Sequence, residues 1–152
     1  MKAVFDFIVT PKEQKQTSFI LNTELQNHLF VNRIGVVLAT PINNDTGIEE
    51  GDEIVVHHNV FRRWHNIRGE EKNSRSYLGD NKYAVRQDQI FLYKRDDKWT
   101  APNGYSFVQP IKSSDKYSGA TEAPCMGILK YHDNSIEGVN VNDLVGFKPD
   151  GE

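Results

Sequence analysis

The residues that could carry chemistry fall into a few groups, and most of them suit binding better than reaction. Phe19, Ile20 and Leu21 stand together in the polar segment PKEQKQTSFILNTELQNH, with Ser18 before them and Asn22 after. An apolar triplet with polar flanks has no strand alternation and no helical stripe, so it reads as the tip of a long loop rather than as core. Asp45, Glu49, Glu50, Asp52 and Glu53 crowd one turn. No second constellation faces them for acid–base work, so they read as solvation. Gly51-Asp52 reads as a structural corner, in which Gly permits the tight turn and Asp accepts backbone N–H groups. His57 and His58 are adjacent on an expected strand and therefore face opposite sides, and His65 is too distant to complete a metal site. Cys125 is the one cysteine. It can form no internal disulfide, and no organised His and acid partners make it a nucleophile.

The stretch Arg62–Arg75, RRWHNIRGEEKNSR, combines Arg62, Arg63, Arg68, Lys72 and Arg75 with Trp64, the mixture a groove for single-stranded nucleic acid would use. Glu70 and Glu71 dilute it, and the bland reading is a solvated loop whose charges keep a sheet edge from aggregating. A net charge of −3 gives no general attraction to nucleic acid or to anionic lipid. No run approaches the roughly 18 apolar residues that a spanning helix needs. The start, MKAVFDFIVTPKEQ, has an acidic residue inside its only apolar run and no small-residue cleavage site, against a secretory signal. With 38% hydrophobic residues, a single cysteine and no leader, a cytoplasmic globular protein is expected.

The elements that must position these residues read as short strands. Ala3–Val9 is a β-branched and aromatic run stopped at Thr10-Pro11. Ile34–Ala39 and Glu53–His57 form an antiparallel pair across a turn through Pro41–Asp45, with Val60–Trp64 extending the edge. Tyr77-Leu78 and Lys82–Val85 make a hairpin closed by Gly79-Asp80-Asn81, and Gln89–Tyr93 is a further strand. About six short strands with almost no convincing helix indicate a small β-barrel. Asp96–Gly104, DDKWTAPNG, breaks the strand pattern and marks a boundary.

The chain then repeats itself. Gly127 stands as Gly35 does, Asp143 as Asp52, Phe147 as Val56, and Val139 and Val141 as Ile48 and Glu50. Val108 and Pro110 likewise answer Val9 and Pro11. The Gly-to-Asp spacing is 17 positions (35 to 52) in the first copy and 16 (127 to 143) in the second. A repeat of this kind decides the fold before any single motif does. The expected class is all-β: a barrel over 1–97 with a loop at about 11–31, then an incomplete second copy over 98–152. That copy lacks the last strands of the first. Either a segment of about forty residues, judged from the first copy's own length, is missing from it or strands are exchanged between chains.

In their order these pieces resemble the GroES-type co-chaperonins, the lid proteins of chaperonins. The pieces are FIVTPK at Phe7–Lys12, SFILNT at Ser18–Thr23, GVVLAT at Gly35–Thr40, IEEGDEIVV at Ile48–Val56 and VRQDQIFLY at Val85–Tyr93. The resemblance covers nearly all of 1–95 and, in abbreviated form, 104–152. It implies a barrel with a mobile loop whose residues Ser18, Phe19, Ile20, Leu21 and Asn22 dock on a GroEL-type chaperonin ring. It also implies a homo-oligomer that assists unfolded proteins to fold, with no catalytic centre, cofactor or metal. The turn at Ile42–Thr46 is too short for a roof hairpin, which is similar to bacteriophage-encoded members with an open dome and would place the protein in a host cytoplasm. The insertion from Phe61 to Gly79 is longer than the family needs, Asn142-Asp143 replaces Gly-Asp in the second copy, and the apolar triplet is absent there. Two further functions fit the same residues: a phage structural or assembly protein that keeps the barrel without chaperonin binding, and a small nucleic-acid-binding barrel using Trp64 and the arginines.

Overall fold

The computed structural model describes residues 3–12, 32–102, 104–113, 122–133 and 135–149. They are all-β, with a short 3-10 turn at Gln87–Gln89. The chain divides into two compact units, Met1–Lys98 and Trp99–Glu152.

In the first unit, β1 (Phe7–Pro11), β2 (Ile34–Ala39) and β3 (Glu53–Val56) are followed by β4 (Arg63–His65), β5 (Glu71–Asn73), β6 (Tyr77–Gly79), β7 (Lys82–Val85) and β8 (Ile90–Arg95), and β9 (Lys98–Thr100) begins at the unit's last residue. Seven of these lie in one sheet of order β6-β7-β1-β2-β3-β8-β9, and β4 pairs only with β5. Strand alternation puts Phe7 and Val9, Val37, Ile54 and Val56, Tyr83 and Val85, and Ile90 on one face. These residues form one buried cluster, joined by Ile48, Val60 and Phe61 from the connections. One sheet can seal one face against itself only by curling around it.

Several expectations shift. The first strand begins at Phe7, where the ladder with β7 starts at Phe7↔Val85. Val4 and Phe5 lie exposed, and Ala3 makes only an isolated parallel bridge to Pro41. Pro11 ends the strand without loss. The Lys12 N–H points at Ile34 O, so the Pro11 nitrogen faces the side where the β7 pairing has stopped at Val9↔Tyr83. Val60 and Phe61 do not extend an edge but turn into the core. Asp96–Gly104 does not simply break the pattern, because Asp96 and Asp97, at φ 48° and 61°, make a two-residue turn from β8 into β9. The turn at Asp80-Asn81 between β6 and β7 has the same form, with φ 47° and 57°.

In the second unit β10 (Ser106–Lys112), β11 (Glu122–His132) and β12 (Leu144–Gly146) make a three-stranded sheet in that order. Its frame is that of β1, β2 and β3. Pro11↔Gly35, Thr10↔Val36 and Val9↔Val37 recur as Pro110↔Gly127, Gln109↔Ile128 and Val108↔Leu129, and each ladder has its irregularity at the next step. Ile34↔Val55, Gly35↔Ile54 and Val36↔Glu53 recur as Met126↔Gly146, Gly127↔Val145 and Ile128↔Leu144.

Candidate functional site

Residues 18–22, the expected binding tip, lie outside the described residues, but the place from which their segment departs is defined. The Lys12 N–H donates to Ile34 O at 2.9 Å, and Asn32 Nδ2 donates to Lys12 O at 2.6 Å. Asn32 Oδ1 also accepts from the Ile34 N–H at 2.9 Å, and Lys12 Nζ makes an ion pair with Glu53 on β3. The chain therefore leaves β1 and re-enters β2 through one closed neck. Pro11 opposite Gly35 forms its base. A Cβ on Gly35 would sit 2.7 Å from the Phe61 ring and 3.0 Å from Thr10 O, so glycine lets Phe61 pack beneath the neck.

The Gly51-Asp52 corner is a bonded knot. Gly51 is at φ 92°, and its N–H donates to Val37 O at 2.9 Å while the Val37 N–H donates to Asp52 O at 3.0 Å. Asp52 is the buried polar residue of the core region, 6% exposed, and its Oδ2 accepts the Glu49 N–H at 2.9 Å. Arg95, on β8, was not legible as its partner. Arg95 Nε and Nη2 reach Asp52 Oδ1 and Oδ2 at 3.0 and 2.7 Å, and Nη2 also donates to Gly47 O at 2.8 Å. The bond to Asp52 raises the Arg95 pKa above its ordinary value. The nearest sequence signal was β3's need for a neighbour on its far side, which brings β8 and so Arg95 to the corner.

Around this corner lies an open groove of about 560 Å³ whose walls include Glu49, Glu50, Glu53, Lys94 and Asp97. Glu49 pairs with Arg95, Asp52 with Arg95, Glu53 with Lys12 and Asp97 with Lys94, each within 3.2 Å. Arg95 is shared by Glu49 and Asp52, so these four acids hold three cations, and Glu50 and Asp96 line the groove as further acids.

The basic stretch is an ordered hairpin rather than a loop. Local bonds replace a core there: Asn66 Oδ1 accepts the N–H groups of Arg68 and Glu70, and Asn66 Nδ2 donates to Glu70 Oε2. Arg63 turns toward the seven-stranded sheet, donating to the Tyr83 hydroxyl at 3.4 Å and to Asn81 Oδ1 at 3.2 Å, and the Tyr83 bond raises its pKa. Alternation then puts Trp64 on the other face, with Lys72 opposite it and the Arg62 guanidinium 5.5 Å from its ring centre. Trp64 is 39% exposed and Ile67 at the tip fully so.

His57 and His58 follow the end of β3 instead of lying on it, so they do not face opposite sides, and their ring centres are 4.2 Å apart. Among the described residues no group of three or more His, Cys, Asp or Glu side chains converges as metal ligands would. Nor, among them, is any helix long and apolar enough to cross a membrane. Comparison with known protein families, with curated proteins and with solved structures finds no match to this chain.

Proposed function

We propose that this protein is a lid of the co-chaperonin kind, which captures a GroEL-type chaperonin ring through Phe19, Ile20 and Leu21 while unfolded proteins fold in the enclosed chamber. The observation that supports this reading is the closed neck at Lys12, Asn32 and Ile34, where the chain leaves and re-enters a compact all-β unit on either side of residues 13–31. Burying three apolar side chains contributes about 1.5–3 kcal/mol each at best, and ordering the loop around them costs a comparable amount. One loop therefore binds weakly and releases readily. Several copies in an oligomer make the same contact at high effective concentration, which gives firm but reversible capture in the cytoplasm of the cell, a bacteriophage host included. Exchanging Ile20 and Leu21 together for Ser is expected to abolish nucleotide-dependent co-elution with the chaperonin. Retention of the double variant, or no co-elution of the parent protein, overturns the proposal.

The hairpin favours a second reading. Trp64 and its neighbours Arg62 and Lys72 look away from the sheet and make a base-stacking platform with cations beside it, as a binder of single strands uses. That reading requires salt-sensitive binding to single-stranded nucleic acid that weakens in Arg62→Ser and Trp64→Ala.

A further inference from the structure

The two units share one hydrogen-bonded frame, and among the described residues only the first completes it. There β1 is flanked by β7 and β3 by β8, and Val9, Val37, Ile54 and Val56 are 0–2% exposed. In the second unit, among the described residues, β10 and β12 each have one neighbour. Phe147 stands where Val56 does, since its N–H donates to Cys125 O as that of Val56 donates to Arg33 O, but it is 47% exposed, and Leu144, on the other face of the strand, is 58% exposed. A bare apolar edge is a template for another strand.

The two edges are not equivalent. Pro110, opposite Gly127 as Pro11 is opposite Gly35, offers no N–H, and proline is a device that blunts an edge. The segment Leu144–Phe147 has neither proline nor charge. The Leu129 N–H reaches Asp143 O and the Phe147 N–H reaches Cys125 O, so Asp143, Val145 and Phe147 turn their backbone groups toward β11. Leu144 and Gly146 then direct theirs away from β11, where no further strand stands among the described residues.

We propose that the outer edge of β12 docks on the same edge of a second copy of this chain, antiparallel, to make one six-stranded sheet from two second units. The first unit shows what belongs at this place: β3 carries the antiparallel β8 there, and Tyr93 and Ile90 stand opposite Ile54 and Val56. A second copy supplies the equivalent. With Gly146 opposite Gly146 across a two-fold axis, Val145 of each copy lies opposite Phe147 of the other on one face, and Leu144 lies opposite Lys148 on the other face. This contact is separate from the lid reading, which concerns residues 18–22.

Molar mass by sedimentation over a range of concentrations tests it. The mass is expected to rise with concentration to an even multiple of the chain, and Leu144→Pro, which removes an outward N–H but leaves the ladder to β11, is expected to halve it. Should that variant unfold the unit, Gly146→Cys in a Cys125→Ser background gives an independent readout. Facing residues of an antiparallel bonded pair have Cα atoms about 5.5 Å apart, within reach of a disulfide, so the copies are expected to cross-link on mild oxidation. A chain that is monomeric at every concentration, as when a foreign strand covers β12, overturns the proposal. An assembly that keeps its mass in Leu144→Pro and does not cross-link overturns it equally, because it is held elsewhere.

Discussion

Arg95 grips Asp52 through two parallel hydrogen bonds, Nε to Oδ1 and Nη2 to Oδ2, with the carboxylate buried and the guanidinium half in solvent. The corner of the first unit is thus closed by a residue 43 positions away in sequence. Arg95→Ala leaves the Asp52 carboxylate with the Glu49 N–H and costs about 1–3 kcal/mol, read as a lower urea midpoint with unchanged slope. Lysine at 95 recovers part of this, since it offers no planar fork to two oxygens. In the second unit Asp143 is exposed and accepts only the Asn140 N–H among its described side-chain bonds, so Asp143→Ala costs less than Asp52→Ala. Equal losses at the two sites would show that Arg95 adds nothing.

Gly35 and Gly127 occupy the same place in the two frames, but alanine there fails for different reasons. At Gly35 the new methyl group meets the Phe61 ring and Thr10 O, and the ring can shift at about 1–3 kcal/mol. At Gly127 it meets Val108 Cγ1 and stands 2.6 Å from Gln109 O, which is backbone, so the strands must part. Gly35→Ala is therefore expected to lower the melting temperature with its amide protection pattern intact. Gly127→Ala is expected to lose protection along the β10–β11 ladder.

Gly51 at φ 92° and Asn142 at φ 76° are the turning residues of equivalent corners. Left-handed backbone costs a residue with a Cβ about 1–2 kcal/mol, somewhat less for Asn. Gly51→Ala should destabilise by about that amount, and Asn142→Gly should stabilise the second unit by up to about 1 kcal/mol. The Lys130 bond to Asn142 Oδ1, at 3.3 Å and exposed, offsets little of that gain. Thermal melts of both variants check the pair, and a loss in Asn142→Gly contradicts it.

Much of this architecture was legible because it rests on patterns a sequence displays. Val37, Ile54 and Val56 alternate with outward residues, and Gly35, Gly51 and Pro11 punctuate them. The spacing of Gly127, Asp143 and Phe147 announced the recurring frame whose registers the second sheet displays. What stayed hidden depends on pairing at a distance or on polar residues. Arg63–His65 and Glu71–Asn73 have no apolar alternation, because their hairpin is held by Asn66 and by Arg63 on Tyr83 rather than by a core. Asp96-Asp97 reads as a break until both residues take left-handed backbone. Phe61 belongs to the core only because Gly35, 26 positions earlier (35 to 61), leaves room for its ring.

Asp133 gives the second unit a pH dependence that can be followed at two amides. Its carboxylate accepts the Ser135 N–H at 3.1 Å and the Gly104 N–H at 2.7 Å, and these bonds, Ser135 first, hold its pKa below the usual carboxylate range. Because the folded value lies below the unfolded one of about 3.9, the stabilisation is fully present above that pH and is lost as pH falls through the folded pKa. The Gly104 and Ser135 amide resonances are expected to titrate together, below the range of an ordinary aspartate, and to stop titrating in Asp133→Asn. Amides that move at the ordinary carboxylate pH would mean that the two N–H groups do not favour the charged form. Amides that still move in the variant would assign the transition to another carboxylate.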